Sequence, residues 1–469
     1  MTVNKRLSPL DASFLAIETP TAHMHVGWAA VFEPPGDGVR PSFEQLREHI
    51  ARRLPRAPRY RQTLKSVPFG INAPVWTDDL DFDVSRHVVA SRSDRLGEVI
   101  EECMSKPLPR QRPLWQVWIA DRLDDGRIGV VGKVHHCMVD GIAAVELGSL
   151  LLDPDPVAPS PAPDAWAPES PPSGSRLIGR GLTDLARSQL DLAAIPARAA
   201  RSPRQALELA SRARRAAAAL VDAARPARPT PQLNAPISPL RKLGLLARPM
   251  DDLTRIKRTF GVKLNDVVLA ASAGGVRAFL KKRGENPIRL KSMVPVNVRG
   301  SGEADELGNR ISFMFVDLPC DEPDPVRRLR QIHAATSDRK RAGKPEGADD
   351  VVRSLGFIPS PLQRVVSRLI ASPRTFNLTV SNIPGPPEPL YMHGCPLVEA
   401  YPVVPIPERH ALSIGLTTVG DGAFFGLYAD PESLPEIGGL AEEIDLAIDE
   451  LAELSPAIKE REEREPILA

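Results

Sequence analysis

The stretch from Ile128 to Leu152 reads IGVVGKVHHCMVDGIAAVELGSLLL and places two adjacent histidines at its centre. Its first seven residues are apolar and β-branched apart from two glycines and a lysine, which predicts a buried strand. Apolar residues then recur at helical spacing from 144 to 151, so we expect a helix to begin near Gly141. The sequence therefore places His135 and His136 at a strand-to-helix junction, where α/β folds commonly bind their ligands.

The two histidines cannot both act on one substrate atom, because successive side chains on extended backbone point to opposite faces. We expect one imidazole to face a cleft and the other to be packed or hydrogen-bonded. A neutral imidazole is a good general base near pH 7. Asp140, four residues after His136, is expected to brace the turn, provided that its charge is paired.

Three other interpretations of this stretch compete with a general base. A pair of histidines packed in the core is the structural alternative. A metal site is disfavoured, because two histidines and one aspartate without a further His/Cys cluster form a poor ligand set. A nucleophilic Cys137 is also disfavoured, because nothing in the sequence marks its thiol as activated.

Composition indicates an ordinary globular protein with room for two domains. The chain has 469 residues, 42% of them apolar and 25% charged, and a net charge of +1, which argues against bulk binding of nucleic acid. No apolar run approaches the length of a membrane span, and the N-terminus lacks a signal-peptide core. The four cysteines are scattered without a CxxC pair, which is typical of free thiols in the reducing cytoplasm.

A change in composition divides the chain into three predicted parts, 1–152, 153–232 and 233–469. Proline crowds the segment 153–175, which we expect to be an extended and exposed linker. An Arg/Ala-rich segment, 176–228, follows it. We expect short helices here, separated at Pro196 and Pro203, that form either a solvated crossover or a basic surface for anionic lipid.

Local patterns predict the elements on both sides of this segment. Strands are expected at 25–32, at 80–84 and at 112–120, the last pairing with 128–134 through the turn at 124–126. Helices are expected to begin at Ser8-Pro9 and at the residue pair Asn265-Asp266, either of which is a good N-cap for the helix 267–280. Further strands are expected at 290–298, 311–318 and 377–382, followed by a hairpin at 411–429 and an acidic amphipathic helix near the C-terminus.

Several motifs together resemble a known enzyme family. HHCMVDG matches the HHxxxDG motif of the CoA-dependent acyltransferase superfamily, which includes chloramphenicol acetyltransferase-like enzymes and condensation domains. The chain further resembles the bacterial wax ester synthase/diacylglycerol acyltransferase family, particularly its actinobacterial triacylglycerol synthase branch. This likeness covers nearly the whole length outside the Pro-rich linker. Its motifs are LSPLDASFL at 7–15, RPLW at 112–115, LNDVVLA at 264–270, PVNVR at 295–299, LGNRIS at 307–312 and SNIPGP at 381–386.

The resemblance implies an α/β (mixed α+β) fold, with two chloramphenicol-acetyltransferase-like domains around a central substrate tunnel. It implies that His136 is the proton acceptor and that Asp140 gives mainly structural support beside His135 and Gly141. It also implies a binding or structural role for the motif residues Asn265 and Asp266, for which helix capping is an equal alternative. From related folds, Arg299 is expected to pair with Asp140.

The implied reaction uses long-chain acyl-CoA as co-substrate, with diacylglycerol or a long-chain alcohol as acceptor. No metal or other cofactor and no nucleic acid is expected. The resemblance implies a cytoplasmic protein that contacts the inner face of the membrane or lipid droplets peripherally. Two alternatives stay open: a condensation-type or polyketide-associated acyltransferase with a carrier-bound donor, and a non-catalytic lipid-surface protein of the same fold.

Overall fold

The computed structural model describes residues 6–36, 38–138, 151–157, 164, 166–297, 311–341, 360–386 and 388–455. The α-helices of this part of the chain are α1 (Pro9–Ile17), α2 (Phe43–Ala51), α3 (Leu96–Ser105), α4 (Gly174–Arg201), α5 (Pro203–Ala224), α6 (Met250–Phe260), α7 (Leu264–Lys282), α8 (Pro325–Arg341), α9 (Ser360–Ile370) and α10 (Ile437–Glu453). Its strands are β1 (His25–Phe32), β2 (Gln62–Lys65), β3 (Val75–Asp78), β4 (Val88–Ala90), β5 (Trp115–Ala120), β6 (Ile128–His135), β7 (Lys242–Pro249), β8 (Leu290–Asn297), β9 (Ile311–Leu318), β10 (Leu378–Asn382), β11 (Tyr391–Met392), β12 (Cys395–Val403), β13 (Leu412–Val419) and β14 (Gly422–Ala429).

Two six-stranded sheets form the framework. The first has the order β11-β12-β1-β6-β5-β4, and the second has the order β7-β14-β13-β10-β8-β9. Both are mixed, because β4 runs parallel to β5, and β10 runs parallel to β13 and β8, while the other pairs are antiparallel. A separate two-stranded ribbon, β2-β3, lies outside them. The predicted pairing of β5 with β6 and the predicted β13-β14 hairpin are confirmed.

The first sheet contains strands from both ends of the chain. Strand β12, from the C-terminal half, pairs along β1 from Gly27↔Val403 to Phe32↔Leu397. The boundary predicted from composition is therefore not a boundary of the first sheet, which takes strands from 1–152 and from 233–469, whereas the second sheet lies wholly within 233–469. This pairing brings C-terminal residues beside β1, which begins at His25 and pairs on its other side with β6.

Strand β12 also contacts the second sheet at very short range, over two glycines. A Cβ added to Gly415 would lie 2.9 Å from Cγ of Pro402, and a Cβ added to Gly426 would overlap the carbonyl oxygen of Pro402. Glycine is the residue that permits such a close backbone approach. One hydrophobic core extends across this contact. On one side it includes helix α3 and one face of β1 and β6, and on the other it includes the second sheet with helices α6, α7 and α10.

The strand predicted at 80–84 is wrong. The residues form a turn and a short 3-10 helix, Val84–Arg86, and the strand lies later, at β4. The aspartates of this stretch bind the backbone in place of a neighbouring strand: Asp79 Oδ1 accepts the amide of Asp81 at 3.2 Å, and Asp83 Oδ1 accepts that of Ser85 at 2.9 Å. Asp side chains favour turns over strands for this reason.

The linker segment is more firmly attached than predicted. Asp153 is buried and pairs with Arg53, whose Nε lies 3.0 Å from Asp153 Oδ1, while Asp164 accepts two hydrogen bonds from Arg61. Proline excludes helix from such a segment but does not prevent its side chains from packing. Most of the described linker residues are exposed, as predicted, but Asp153 and Pro172 are buried, and Gly174 and Ser175 already belong to helix α4.

The Arg/Ala-rich segment forms two long helices instead of several short ones. Helix α4 continues through Pro196, and the break comes at Ser202, directly before Pro203. An interior proline removes one helical hydrogen bond, whereas proline is favoured at the first position of a helix. The predicted division at Pro203 is confirmed, and the predicted division at Pro196 is wrong.

The predicted N-cap at Asn265 or Asp266 is also wrong, because α7 begins at Leu264 with Lys263 as the flanking residue. Asp266 occupies the third helical position, and its Oδ2 accepts the amide of Lys263 at 3.0 Å. This is the acidic half of a capping box. Asp266 therefore still accepts a backbone amide at the start of the helix, although it lies inside the helix and not at the N-cap position.

The close contact of Pro402 with Gly415 and Gly426 yields a prediction about stability. Gly426→Ala should lower the free energy of unfolding by about 1–3 kcal/mol or more, because the added methyl group collides with backbone that cannot rotate away. Gly438→Ala, in α10, is the control: an added Cβ there meets nothing within 4 Å, and alanine is preferred in helices by about 0.5–1 kcal/mol. Urea unfolding measures both, and equal stability of the two variants would contradict the prediction.

Candidate active site at the end of strand β6

The tautomer of His135 follows from its hydrogen bond to the turn. Strand β6 ends at His135, and a 3-10 turn, His136–Met138, follows. Nδ1 of His135 accepts the backbone amide of Cys137 at 3.1 Å, so this nitrogen is unprotonated and Nε2 carries the hydrogen. Nε2 points toward Glu18, 3.7 Å from Oε1, and Glu18 forms an ion pair with Arg110. His135 is therefore hydrogen-bonded to the turn through Nδ1, while Nε2 is buried near Glu18 without a hydrogen-bond partner among the described residues.

His136 has different surroundings. Its ring stacks on Phe14 of helix α1, with ring centroids 3.5 Å apart and planes 13° from parallel. Its backbone amide donates to the carbonyl of Met24 at 3.0 Å. Met24 has a φ of 50°, in the left-handed region that non-glycine residues rarely adopt. The backbone before β1 thus takes up an unfavourable conformation at the point where it holds His136.

Burial keeps both imidazoles neutral. Desolvation lowers the pKa of His136 to about 4, and it lowers the pKa of the more deeply buried His135 well below the ordinary value. Nδ1 of His136 is buried and has no hydrogen-bond partner among the described residues. Both rings are therefore unprotonated near pH 7, which is the form in which an imidazole can accept a proton.

The helix that carries Phe14 begins at a well-formed N-cap. Ser8 Oγ accepts the amide of Asp11 at 3.1 Å, and Pro9 occupies the first helical position, as the sequence predicted. The role of Phe14 was not predicted. The motif LSPLDASFL marked the segment, but the contact between α1 and the turn after β6 arises only in the tertiary structure.

A second group missed in the sequence lies on the His135 face of β1 and β6. His25 is opposite His135 in the sheet register and is buried, and neither of its ring nitrogens has a hydrogen-bond partner within the described residues. His23 lies beside it, with ring centroids 5.2 Å apart. Lys133 is buried nearby and donates to the carbonyl of Lys106 at 2.6 Å. Burial and these neighbouring cations lower the pKa of His25 far below its ordinary value.

Asp266 is bound within the C-terminal part of the chain. Its buried carboxylate accepts the hydroxyl of Thr336 at 2.7 Å and lies 2.7 Å from Nδ1 of His333, both on helix α8. With the amide of Lys263 it has three partners, which join the start of α7 to α8. Asn265 is half-buried in the first turn of α7. These contacts give Asp266 a structural role.

Three predicted site residues, Asp140, Gly141 and Arg299, lie outside the described residues, as does the predicted start of the helix after β6. Across the described ranges, no three His, Cys, Asp or Glu side chains cluster in a way that could hold a metal ion. Cys137 is buried, and burial raises the pKa of its thiol, so the thiolate needed for nucleophilic attack is disfavoured.

The hydrogen bond of His135 yields a prediction about stability. His135→Ala leaves the buried amide of Cys137 without an acceptor, which costs about 1–3 kcal/mol in addition to the cavity. His135→Asn places Oδ1 close to the position of Nδ1 and should recover part of that loss. His135→Gln, whose acceptor lies one bond further out, is the control and should recover less. Thermal and urea unfolding measure the order; equal stability of the Ala and Asn variants would contradict it.

Comparison with known proteins matches both halves of the chain to one family. Residues 7–268 match the model of the wax ester synthase/diacylglycerol acyltransferase catalytic domain, and residues 307–452 match the corresponding C-terminal domain. Relatives include the probable diacylglycerol O-acyltransferase tgs1 of Mycobacterium tuberculosis, 33% identical over 461 residues with 96% of each chain covered. The probable diacylglycerol O-acyltransferase tgs2 of the same species is 30% identical over 467 residues, covering 95% of this chain and 98% of the relative.

Solved structures agree on the fold. The wax ester synthase/diacylglycerol acyltransferase from Marinobacter aquaeolei VT8 superposes with a TM-score of 0.68 at 23% identity, covering 97% of this chain and 100% of that one. The first condensation domain of the CDA synthetase superposes with a TM-score of 0.57 at 16% identity, covering 98% of each chain. The predicted two-domain, chloramphenicol-acetyltransferase-like α/β fold is confirmed. With both family models and relatives above 30% identity over nearly its whole length, the chain belongs to the wax ester synthase/diacylglycerol acyltransferase family.

Proposed function

We infer that this protein is an acyl-CoA-dependent O-acyltransferase that forms triacylglycerol from diacylglycerol. Membership of the family carries the reaction class, and both mycobacterial relatives described above are named as diacylglycerol O-acyltransferases. The observation that supports the chemistry is the neutral, half-buried His136 at the end of β6, directly within the HHxxxDG motif. Long-chain alcohols are a second acceptor class, since the family model is described by wax ester synthesis as well.

In the proposed reaction, His136 takes the proton of the acceptor hydroxyl as its oxygen attacks the carbonyl carbon of the acyl thioester. A new C–O bond forms, the C–S bond breaks, and coenzyme A leaves as a thiol that takes up the proton. The acyl group passes directly between substrates, without an acyl-enzyme. The raised pKa of Cys137, the cysteine nearest the base in sequence, supports this route.

Neighbouring groups position the base in this mechanism. His135 fixes the turn through the amide of Cys137, and Phe14 limits the orientations of the His136 ring by stacking. Asp140 is proposed to support the same turn, paired with Arg299, and Gly141 to begin the helix that follows. A tunnel that admits acyl-CoA from one side and the lipid acceptor from the other remains part of the proposal.

Peripheral contact with a lipid surface is the proposed location, on the cytoplasmic side of the membrane or on lipid droplets. The acceptor and the product are both insoluble in water. None of the described helices is long and apolar enough to cross a bilayer. Helices α4 and α5 carry exposed arginines, including Arg204, Arg212 and Arg214, that would be attracted to an anionic leaflet by on the order of 1 kcal/mol each.

The proposed base has a testable pH dependence. Because desolvation holds the pKa of His136 at about 4, the neutral form should persist as pH falls below the ordinary value of 6.5 and be lost only near pH 4. The value of kcat/KM for hexadecanol, at saturating palmitoyl-CoA, should therefore stay level from pH 7 to about 5. Hexadecanol does not titrate, so an acid limb near pH 6.5 would contradict a desolvated His136 as the base.

The substrate prediction is measured with acetyl-, octanoyl- and palmitoyl-CoA against dioleoylglycerol and hexadecanol. Each buried methylene of the donor adds roughly 0.8 kcal/mol of binding, so palmitoyl-CoA should exceed acetyl-CoA by orders of magnitude in kcat/KM.

His136→Ala should lower turnover by about 10²–10⁴-fold while the melting temperature is retained.

Two outcomes would overturn this function. Near-normal turnover by folded His136→Ala would remove His136 from the chemistry. Transfer from a carrier-bound acyl group, with no ester formed from free acyl-CoA, would favour the condensation-type alternative, whose domains share the fold.

A further inference from the structure

Helix α9 is amphipathic in the reverse sense to an ordinary surface helix. Its apolar residues Leu362, Val365 and Leu369 follow the i, i+3, i+7 spacing of one helical stripe, yet they are 52%, 54% and 64% exposed. The opposite face carries Gln363 and Ser367, and both of these polar residues are buried. In α10, by contrast, the apolar stripe faces the core.

Specific hydrogen bonds hold α9 in this orientation against helix α1. Gln363 Nε2 donates to the carbonyl of Pro9 at 2.8 Å, and Arg368 Nε donates to the carbonyl of Ala16 at 3.1 Å. Ser367 Oγ donates within the helix to the carbonyl of Gln363 at 2.9 Å. Buried polar groups are costly to uncouple, so rotation of α9 to hide its apolar stripe is disfavoured. The apolar face therefore points outward, because the polar face of the helix is hydrogen-bonded to α1.

We propose that this outward face, Leu362, Val365 and Leu369, inserts into the surface of an anionic lipid assembly that supplies the acceptor. Single exposed apolar side chains are common, but a continuous stripe on a helix rimmed by cations is typical of interfacial membrane binding. The segment 360–377 contains Arg364, Arg368 and Arg374 and no acidic residue. Its charge therefore complements an anionic leaflet.

The position of α9 connects the lipid surface to the candidate site. Helix α9 packs on α1, and α1 carries Phe14, which stacks on His136. Docking through α9 would thus place the lipid phase on the far side of α9 and α1 from the proposed base. This inference deepens the proposed function, because it assigns the surface from which a water-insoluble acceptor reaches the site.

The test compares two triple variants by flotation with vesicles of phosphatidylglycerol, phosphatidylcholine and dioleoylglycerol. Leu362→Gln/Val365→Gln/Leu369→Gln should weaken vesicle binding at least tenfold. The matched control is Leu80→Gln/Leu446→Gln/Leu454→Gln, which changes residues of similar exposure, 53%, 54% and 50%, that do not form one stripe. The control should bind vesicles like the unaltered protein, and both variants should melt like it.

A kinetic comparison separates the docking surface from the chemistry. With octanoyl-CoA and hexanol, both in free solution, the α9 variant should keep its kcat/KM, whereas its KM for dioleoylglycerol in vesicles should rise at least tenfold. Absence of ester formation by the unaltered protein from palmitoyl-CoA with either dioleoylglycerol or hexadecanol would refute the proposed function and leave the flotation result standing as a separate measurement.

Two results would overturn the α9 proposal. Equal flotation of the α9 variant and the control would show that the stripe does not bind lipid. If the unaltered protein sediments as a dimer and the α9 variant as a monomer, while flotation is unchanged, the stripe would instead be a contact with a second copy of the chain.

Discussion

The structure depends on the close approach of strand β12 to the second sheet. Pro402 lies over Gly415 and Gly426, and side chains at either glycine would force the two sheets apart. Because β12 is at the same time hydrogen-bonded to β1, this contact fixes the C-terminal half of the chain against the strands that carry His25 and His135. Interiors packed to this density transmit displacements, so the geometry of the site is coupled to the crossing.

The site itself uses the ordinary geometry of a strand end. Strand β6 presents His135 to the face shared with His25, where Nδ1 accepts the amide of Cys137 and Nε2 lies 3.7 Å from Glu18. The next residue, His136, leaves the strand in a tight turn and meets the ring of Phe14. Two chemically identical side chains thus acquire separate tasks, one holding the backbone and the other free of hydrogen bonds at Nδ1 among the described residues. Both are kept neutral by desolvation.

Water-insoluble substrates would require a lipid-binding surface, for which the described helices offer candidates. The described helices include none that could span a membrane, yet α9 presents apolar residues outward, and α4 and α5 carry exposed arginines. Helix α1 lies between α9 and His136, so it belongs to both the surface and the site.

The sequence by itself determined the local elements and the chemistry of the motif. A β-branched run predicted β6, the turn Gly420-Asp421-Gly422 predicted the hairpin β13-β14, and Ser8-Pro9 predicted the start of α1. HHCMVDG with its accompanying motifs indicated the family. These features depend on residues near one another in the chain. The strand predicted at 80–84 was wrong because Asp79 and Asp83 accept backbone amides two residues further along the chain, which forms turns in place of a strand.

Only the tertiary structure decided which distant residues meet. The stacking of Phe14 on His136, the ion pair of Glu18 with Arg110, and the union of Asp266 with His333 and Thr336 all join separate segments. The outward face of α9 is another such case, since hydrogen bonds to the carbonyls of Pro9 and Ala16 hold its polar face against α1. Periodicity states which residues share a face, whereas the direction of that face depends on the partner against which the helix packs.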